Sequence, residues 1–73
     1  MSRIEVESEI TGNVWKIELK VGDKVEPEEV IMILESMKME IPVEAPSAGT
    51  IVEILVKEED SVEEDQILAI IES

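Results

Sequence analysis

Cysteine, histidine, tyrosine and phenylalanine are all missing from this chain. Without cysteine there are no disulfide staples and no thiol chemistry, and losing histidine as well excludes zinc sites of the usual ligand type. No Gly-rich phosphate loop of the G-x-x-x-x-G-K kind is present. Carboxylates alone can pair as acid and base, but a chain this rich in Glu offers such pairs on any solvated face. A non-catalytic protein holding no metal is therefore expected. Cations are also scarce, with 6 Lys and Arg against 19 Asp and Glu, a net charge of −13. Such a surface repels nucleic acid and anionic membrane and favours basic partners. Long apolar runs are absent too. Residues 30–34 and 67–71 are the longest, far too short to cross a bilayer. The start of the chain is broken by Arg3, Glu5 and Glu7 before any signal-length apolar stretch, so a soluble, cytoplasmic protein is expected.

What is present is a core's worth of β-branched side chains. The 73 residues make one small domain, 44% apolar, with 11 Ile and 9 Val against only 4 Leu and 3 Ala. Stiff side chains in that proportion favour strands over helices. Ile4 and Val6 alternate with charge, as do Met39, Ile41 and Val43. Trp15, Ile17, Leu19 and Val21 alternate with Lys16, Glu18 and Lys20, which reads as a half-buried strand with Trp15, the lone aromatic, in or near the core. The two short apolar runs read as strands covered on both faces. Gly, Pro, Asp and Ser mark turns around residues 21–23, 26–28, 45–49 and 58–61. The acidic stretch 58–65 lacks the alternation and the Gly of a calcium loop, and reads as a solvated turn.

Shifted by 37 residues, the first half of the chain lies on the second without a gap. Residues 4–36 pair with residues 41–73, and 12 of the 33 pairs are identical, among them Val6/Val43, Gly12/Gly49, Asp23/Asp60 and Ser36/Ser73. Others, such as Val14/Ile51 and Leu34/Ile71, exchange one aliphatic residue for another. Two similar halves related by a pseudo-twofold axis should then close into two small packed sheets or a flattened barrel.

Only Met37, Lys38, Met39 and Glu40 fall between the copies. If the halves are symmetric, this tetrapeptide is the crossover between them. Lys38 is one of five lysines. In an extended segment Met37 and Met39 would share one face and Lys38 would take the other. One reading is an exposed hairpin lysine flanked by gap-filling Met. The other is an amine put on display where the halves meet, edged by soft apolar side chains that a partner can grip.

The run Glu35-Ser36-Met37-Lys38-Met39-Glu40 resembles the attachment motif of biotinyl domains. The likeness extends over nearly the whole chain, through residues 12–16, 21–25 and 45–51. It implies a flattened barrel-sandwich hybrid of two four-stranded sheets in one domain, residues 1–73, with the modified lysine on a tight hairpin turn. Lys38 then matches the biotin-accepting lysine, with Met37 and Met39 as its recognition neighbours. A biotin protein ligase would form the amide, and the arm would ferry carboxyl groups between biotin carboxylase and carboxyltransferase sites. A chain of this length resembles the stand-alone attachment proteins of bacteria or a separately encoded carrier subunit. Lipoyl domains typically place Asp before the lysine and a small residue after it. Here both neighbours are Met, so biotin is the expected cofactor, with slower lipoylation of Lys38 by a lipoyl ligase as a second reaction. The rival from another class is an unmodified acidic module that binds a basic partner in a salt-sensitive way. The chain departs from the family at Glu28, Glu59 and Asp65, where Gly is frequent. Those turns should either differ or carry strain.

Overall fold

The computed structural model describes residues 2–73. Its elements are eight strands: β1 (Arg3–Glu7), β2 (Gly12–Ile17), β3 (Lys24–Val25), β4 (Val30–Ser36), β5 (Met39–Glu44), β6 (Gly49–Ile54), β7 (Ser61–Val62) and β8 (Ile67–Glu72). They form two four-stranded sheets, ordered β1-β8-β6-β3 and β5-β4-β2-β7, with every pairing antiparallel. The 37-residue offset carries β1 onto β5, β2 onto β6, β3 onto β7 and β4 onto β8, and so converts the order of one sheet into that of the other. Among the described residues no helix is long and apolar enough to cross a membrane.

One shared core lies between the sheets, centred on Ile31, Met32, Leu34, Ile51, Leu68 and Ile71, all fully buried. The two apolar runs are not covered on both faces as the sequence suggests. Each sheet keeps a solvent face, on which Ile33 and Ile70 are half-buried. Consecutive residues point inward because the β4–β5 register shifts between Val30 and Met32, where Ile31 is inserted. The same irregularity faces β1 at Leu68. An inserted residue resets the period-two alternation, so Ile31 and Met32 are both buried, as are Leu68 and Ala69.

Trp15 departs from its expected place for the same reason. The β2–β4 register shifts between Val14 and Lys16, so Val14 takes the core position and Trp15 is turned outward, 47% exposed. The matching shift in β6 falls at Val52.

Four turns share one design. The N–H of Asp23 donates to the Lys20 carbonyl at 3.0 Å, and the Lys20 N–H donates to Asp23 Oδ2 at 2.9 Å. Residues 57–60 repeat this, and 26–29 and 63–66 use Glu29 and Gln66 in place of the Asp. In each, the third residue has positive φ: Gly22 (100°), Glu59 (77°), Glu28 (71°) and Asp65 (71°). That is the requirement of a type II turn, and Pro27 sits where such turns favour proline. Glu28, Glu59 and Asp65 therefore keep the glycine-like geometry and carry the strain.

A left-handed L-residue costs roughly 1–2 kcal/mol. A glycine in its place returns roughly 0.5–1 kcal/mol of backbone entropy to the unfolded chain. Glu59→Gly, which copies Gly22, is thus expected to stabilise the fold by about 0.5–1 kcal/mol, read as a higher urea midpoint at unchanged m. Glu59→Gln removes the charge but keeps the Cβ, and should gain less. Equal gains from the two variants would assign the effect to charge and not to φ.

Candidate functional site

β4 and β5 form a hairpin whose last cross-strand pair is Ser36 and Met39, leaving Met37 and Lys38 as a two-residue loop. Both have positive φ, 51° at Met37 and 68° at Lys38. A two-residue hairpin needs such a turn because its twist matches that of the flanking strands, and Asn-Gly is the usual occupant. Met-Lys occupies it only because the ladder beneath, with β4 held by β5 on one side and β2 on the other, over-determines the geometry. The extended Met37-Lys38-Met39 arrangement drawn from the sequence is therefore replaced by a turn, and the alternation of faces does not apply there.

The loop is fully on display. Met37 is 92% exposed, Met39 63%, and Lys38 and Glu40 are exposed as well. Two thioether side chains left in water beside one amine leave an apolar area that the fold itself does not use. Lys38 makes no ion pair. The one salt bridge among the described residues joins Arg3 to Glu72 at 3.9 Å, at the surface. Directly below the turn, Glu35 and Glu40 are cross-strand partners, both exposed, so two carboxylates face each other at its foot. Among the described residues the pair that the ladder places next to the turn is these two carboxylates, and residues 37–40 line neither of two cavities elsewhere on the surface. The site presents one exposed amine between two exposed thioether side chains.

The hairpin is propped from β2. Ser36 Oγ donates to the Thr11 carbonyl oxygen at 3.1 Å. A Cβ on Gly12 would collide with the Glu35 carbonyl oxygen and lie 3.2 Å from Ser36 Cβ. Only glycine lets β2 come that close to the foot of the turn. Reading the sequence for chemistry does not single out this support. Its trace is the identity of Gly12 with Gly49 and of Ser36 with Ser73 in the repeat. Gly49 meets Ile71 and Glu72 in the other sheet in the same way. There Ser2 and Ser73 stand where Met39 and Ser36 stand here, with the Ser73 N–H donating to the Ser2 carbonyl at 2.9 Å. Of the three residues singled out from the sequence, Lys38, Met37 and Met39, the structure brings all to one exposed turn.

Comparison with known proteins agrees with this fold. A family model described as biotin-requiring enzyme matches residues 4–71. The biotin/lipoyl attachment protein of Bacillus subtilis is 50% identical over 38 residues, 52% of this chain and 52% of that protein. Biotinylated protein TB7.3 of Mycobacterium tuberculosis is 44% identical over 39 residues, 53% of this chain and 55% of that protein. The matched stretch thus spans about half the length of these relatives. In the crystal structure of Kluyveromyces lactis urea carboxylase, a segment making up 6% of that chain superposes on 97% of this one, with TM-score 0.91 and 38% identity.

Proposed function

This chain belongs to the biotin/lipoyl attachment family, and from that membership we propose that it is a carrier biotinylated on Lys38 by a biotin protein ligase. One observation carries the reading: the single break in the repeat is a strained two-residue turn that displays an unpaired amine between two exposed Met. One amide bond forms, between Lys38 Nζ and the carboxyl carbon of biotin. The activating group on that carbon leaves with the bonding electron pair. Nζ gives up two protons, one to become the free amine and one as the amide forms, both taken up by the ligase and the departing group. Met37 and Met39 supply the apolar flanks that the ligase grips. Bound biotin would carry a carboxyl group, and the protein's part is to hold the arm away from the fold. Amide formation removes the charge of Lys38, so the arm can enter pockets closed to a whole domain.

The partners in this reading are biotin carboxylase and carboxyltransferase-type enzymes in the cytoplasm, and the chain itself catalyses nothing. The likeness to a segment of urea carboxylase supports carboxylase partners. Residues 1–73 act as one domain, with quasi-repeats 4–36 and 41–73 joined by residues 37–40. Biotin is favoured over lipoate because a ligase pocket shaped for thioethers loses affinity for the Asp of lipoyl sites, whose charge must be desolvated there. The converse is weaker, since flexible Met fits many surfaces, and slower lipoylation of Lys38 is expected.

The test gives equal amounts of apo-protein to a biotin ligase and to a lipoyl ligase, each with its acid and ATP, and follows intact mass over time. Faster biotin transfer that maps to Lys38 is the expected result. Faster lipoyl transfer would overturn the cargo and keep the carrier. No adduct with either ligase would leave the acidic interaction module as the better reading, and an adduct on Lys24 or Lys57 would remove Lys38 as the attachment site.

A further inference from the structure

Away from the turn at residues 37–38, two of the four edge strands enclose a groove. β1 borders one sheet and β5 the other, and each has a strand neighbour on one side only. Between them lies a cavity of about 320 Å³ whose apolar floor includes the half-buried Ile41 backed by the buried side chains of Val6, Leu34 and Val43. Its ionisable wall residues are Glu7, Glu9, Glu28 and Glu44. A second cavity of about 380 Å³ shares Val6, Glu7, Glu9, Glu44 and Pro46 with the first and adds Glu5, Glu64 and Asp65. None of the residues 37–40 lines either space.

The repeat explains the arrangement. Val6 and Val43 are mates, as are Glu7 and Glu44, and Glu28 and Asp65. The groove straddles the pseudo-twofold relation, so its aliphatic floor is flanked by carboxylates from both halves. Backbone bonds tie the last pair in place: the Glu28 N–H donates to the Ala45 carbonyl and the Asp65 N–H to the Ser8 carbonyl, both at 2.8 Å. Every ionisable side chain lining the two cavities is a carboxylate, and none has a cation partner among the described residues.

We propose that the β1–β5 groove docks an extended segment of a partner protein in which Lys or Arg alternates with aliphatic residues. Charge complementarity selects this occupant. A negative rim attracts a cationic chain and repels nucleic acid and anionic lipid. A metal ion does not account for the groove, because no three carboxylates among the described residues converge on one point. The floor accepts one or two aliphatic side chains, and the alternation of an extended segment sends its other side chains to the rim. β1 is the edge along which such a segment pairs, since Pro42 removes a donor from β5. This inference does not depend on the modification of Lys38.

The experiment titrates the ¹⁵N-labelled full chain with a short capped peptide alternating Lys and Val, and follows amide shifts. Expected are saturable shifts confined to residues 5–9, 28, 41, 43–45 and 64–65, weakening with added salt. A peptide of equal charge with Gly in place of Val should bind more weakly, and one with Glu in place of Lys should not bind. Glu7→Gln together with Glu44→Gln, both exposed, should weaken binding by roughly fivefold, as two surface charge pairs allow. The proposal falls if no binding occurs, if the Gly peptide binds equally well, or if the shifts spread over the distant acidic turn 57–60.

Discussion

Lys38→Arg is expected to abolish biotin incorporation completely while leaving the fold unchanged. Arginine keeps the positive charge and much of the stem, so the turn sees nearly the same residue. Its guanidinium never gives up its proton in a protein and cannot become the amide nitrogen that a ligase needs. Stability should change by less than about 0.5 kcal/mol, as for surface substitutions away from caps and special contacts. Lys38 is exposed and makes no salt bridge, and both residues meet the same steric demand at a φ of 68°. Intact mass after ligase treatment, beside a thermal melt of each protein, reads both halves of the expectation. An adduct persisting on the Arg variant would remove Lys38 from the mechanism. A melt lowered by many degrees would show that the amine has a structural partner.

Leu34→Ala carries the largest expected effect on stability, a loss of roughly 2–5 kcal/mol. Leu34 is fully buried, sits opposite Val14 on β2 and Ile41 on β5, and is two residues from the foot of the hairpin. At roughly 0.05–0.15 kcal/mol per residue, a chain of this length has only about 4–11 kcal/mol to lose. Each kcal/mol corresponds to roughly 4–8 °C in a domain of this size, so the melting temperature should fall by tens of degrees. Ile33→Ala is the control. Ile33 is half-buried on the solvent face of the same strand, so its removal leaves no enclosed cavity and should cost less. At a temperature where the Leu34 variant remains folded, biotin transfer to Lys38 should proceed. Above its melt, transfer should stop, because the left-handed geometry at Met37 and Lys38 exists only while the ladder holds it. Transfer to the unfolded chain at the native rate would mean that the ligase reads the tetrapeptide without its turn.

The groove between β1 and β5 and the display of Lys38 have a common origin in the duplication. Exchange of the halves brings two edge strands together and leaves one linker unmatched. The first gives an apolar floor with acid on both sides. The second gives an amine that no packing demand explains.

Much of this was legible in the residues alone. The excess of Ile and Val over Leu and Ala fixes the strand class, because β-branched side chains lose least on a pleated surface. The ungapped offset marks Lys38 as the unmatched amine, since any pair of halves must be joined somewhere and only residues 37–40 are left to do it. What the sequence could not set was phase. Trp15 counts as a core residue on strict alternation, yet the bulge after Val14 turns it to solvent. Ile31 and Met32 look like a strand covered twice and are instead two inward residues on one face. A bulge depends on which residues lie across the ladder, and local propensity does not carry that information. The same holds for the turns. Met37, Lys38, Glu28 and Glu59 have no intrinsic preference for positive φ. The N–H groups of Glu28, Glu59 and Asp65 are held by carbonyls of Ala45, Val14 and Ser8, partners distant in sequence that only the closed sandwich supplies.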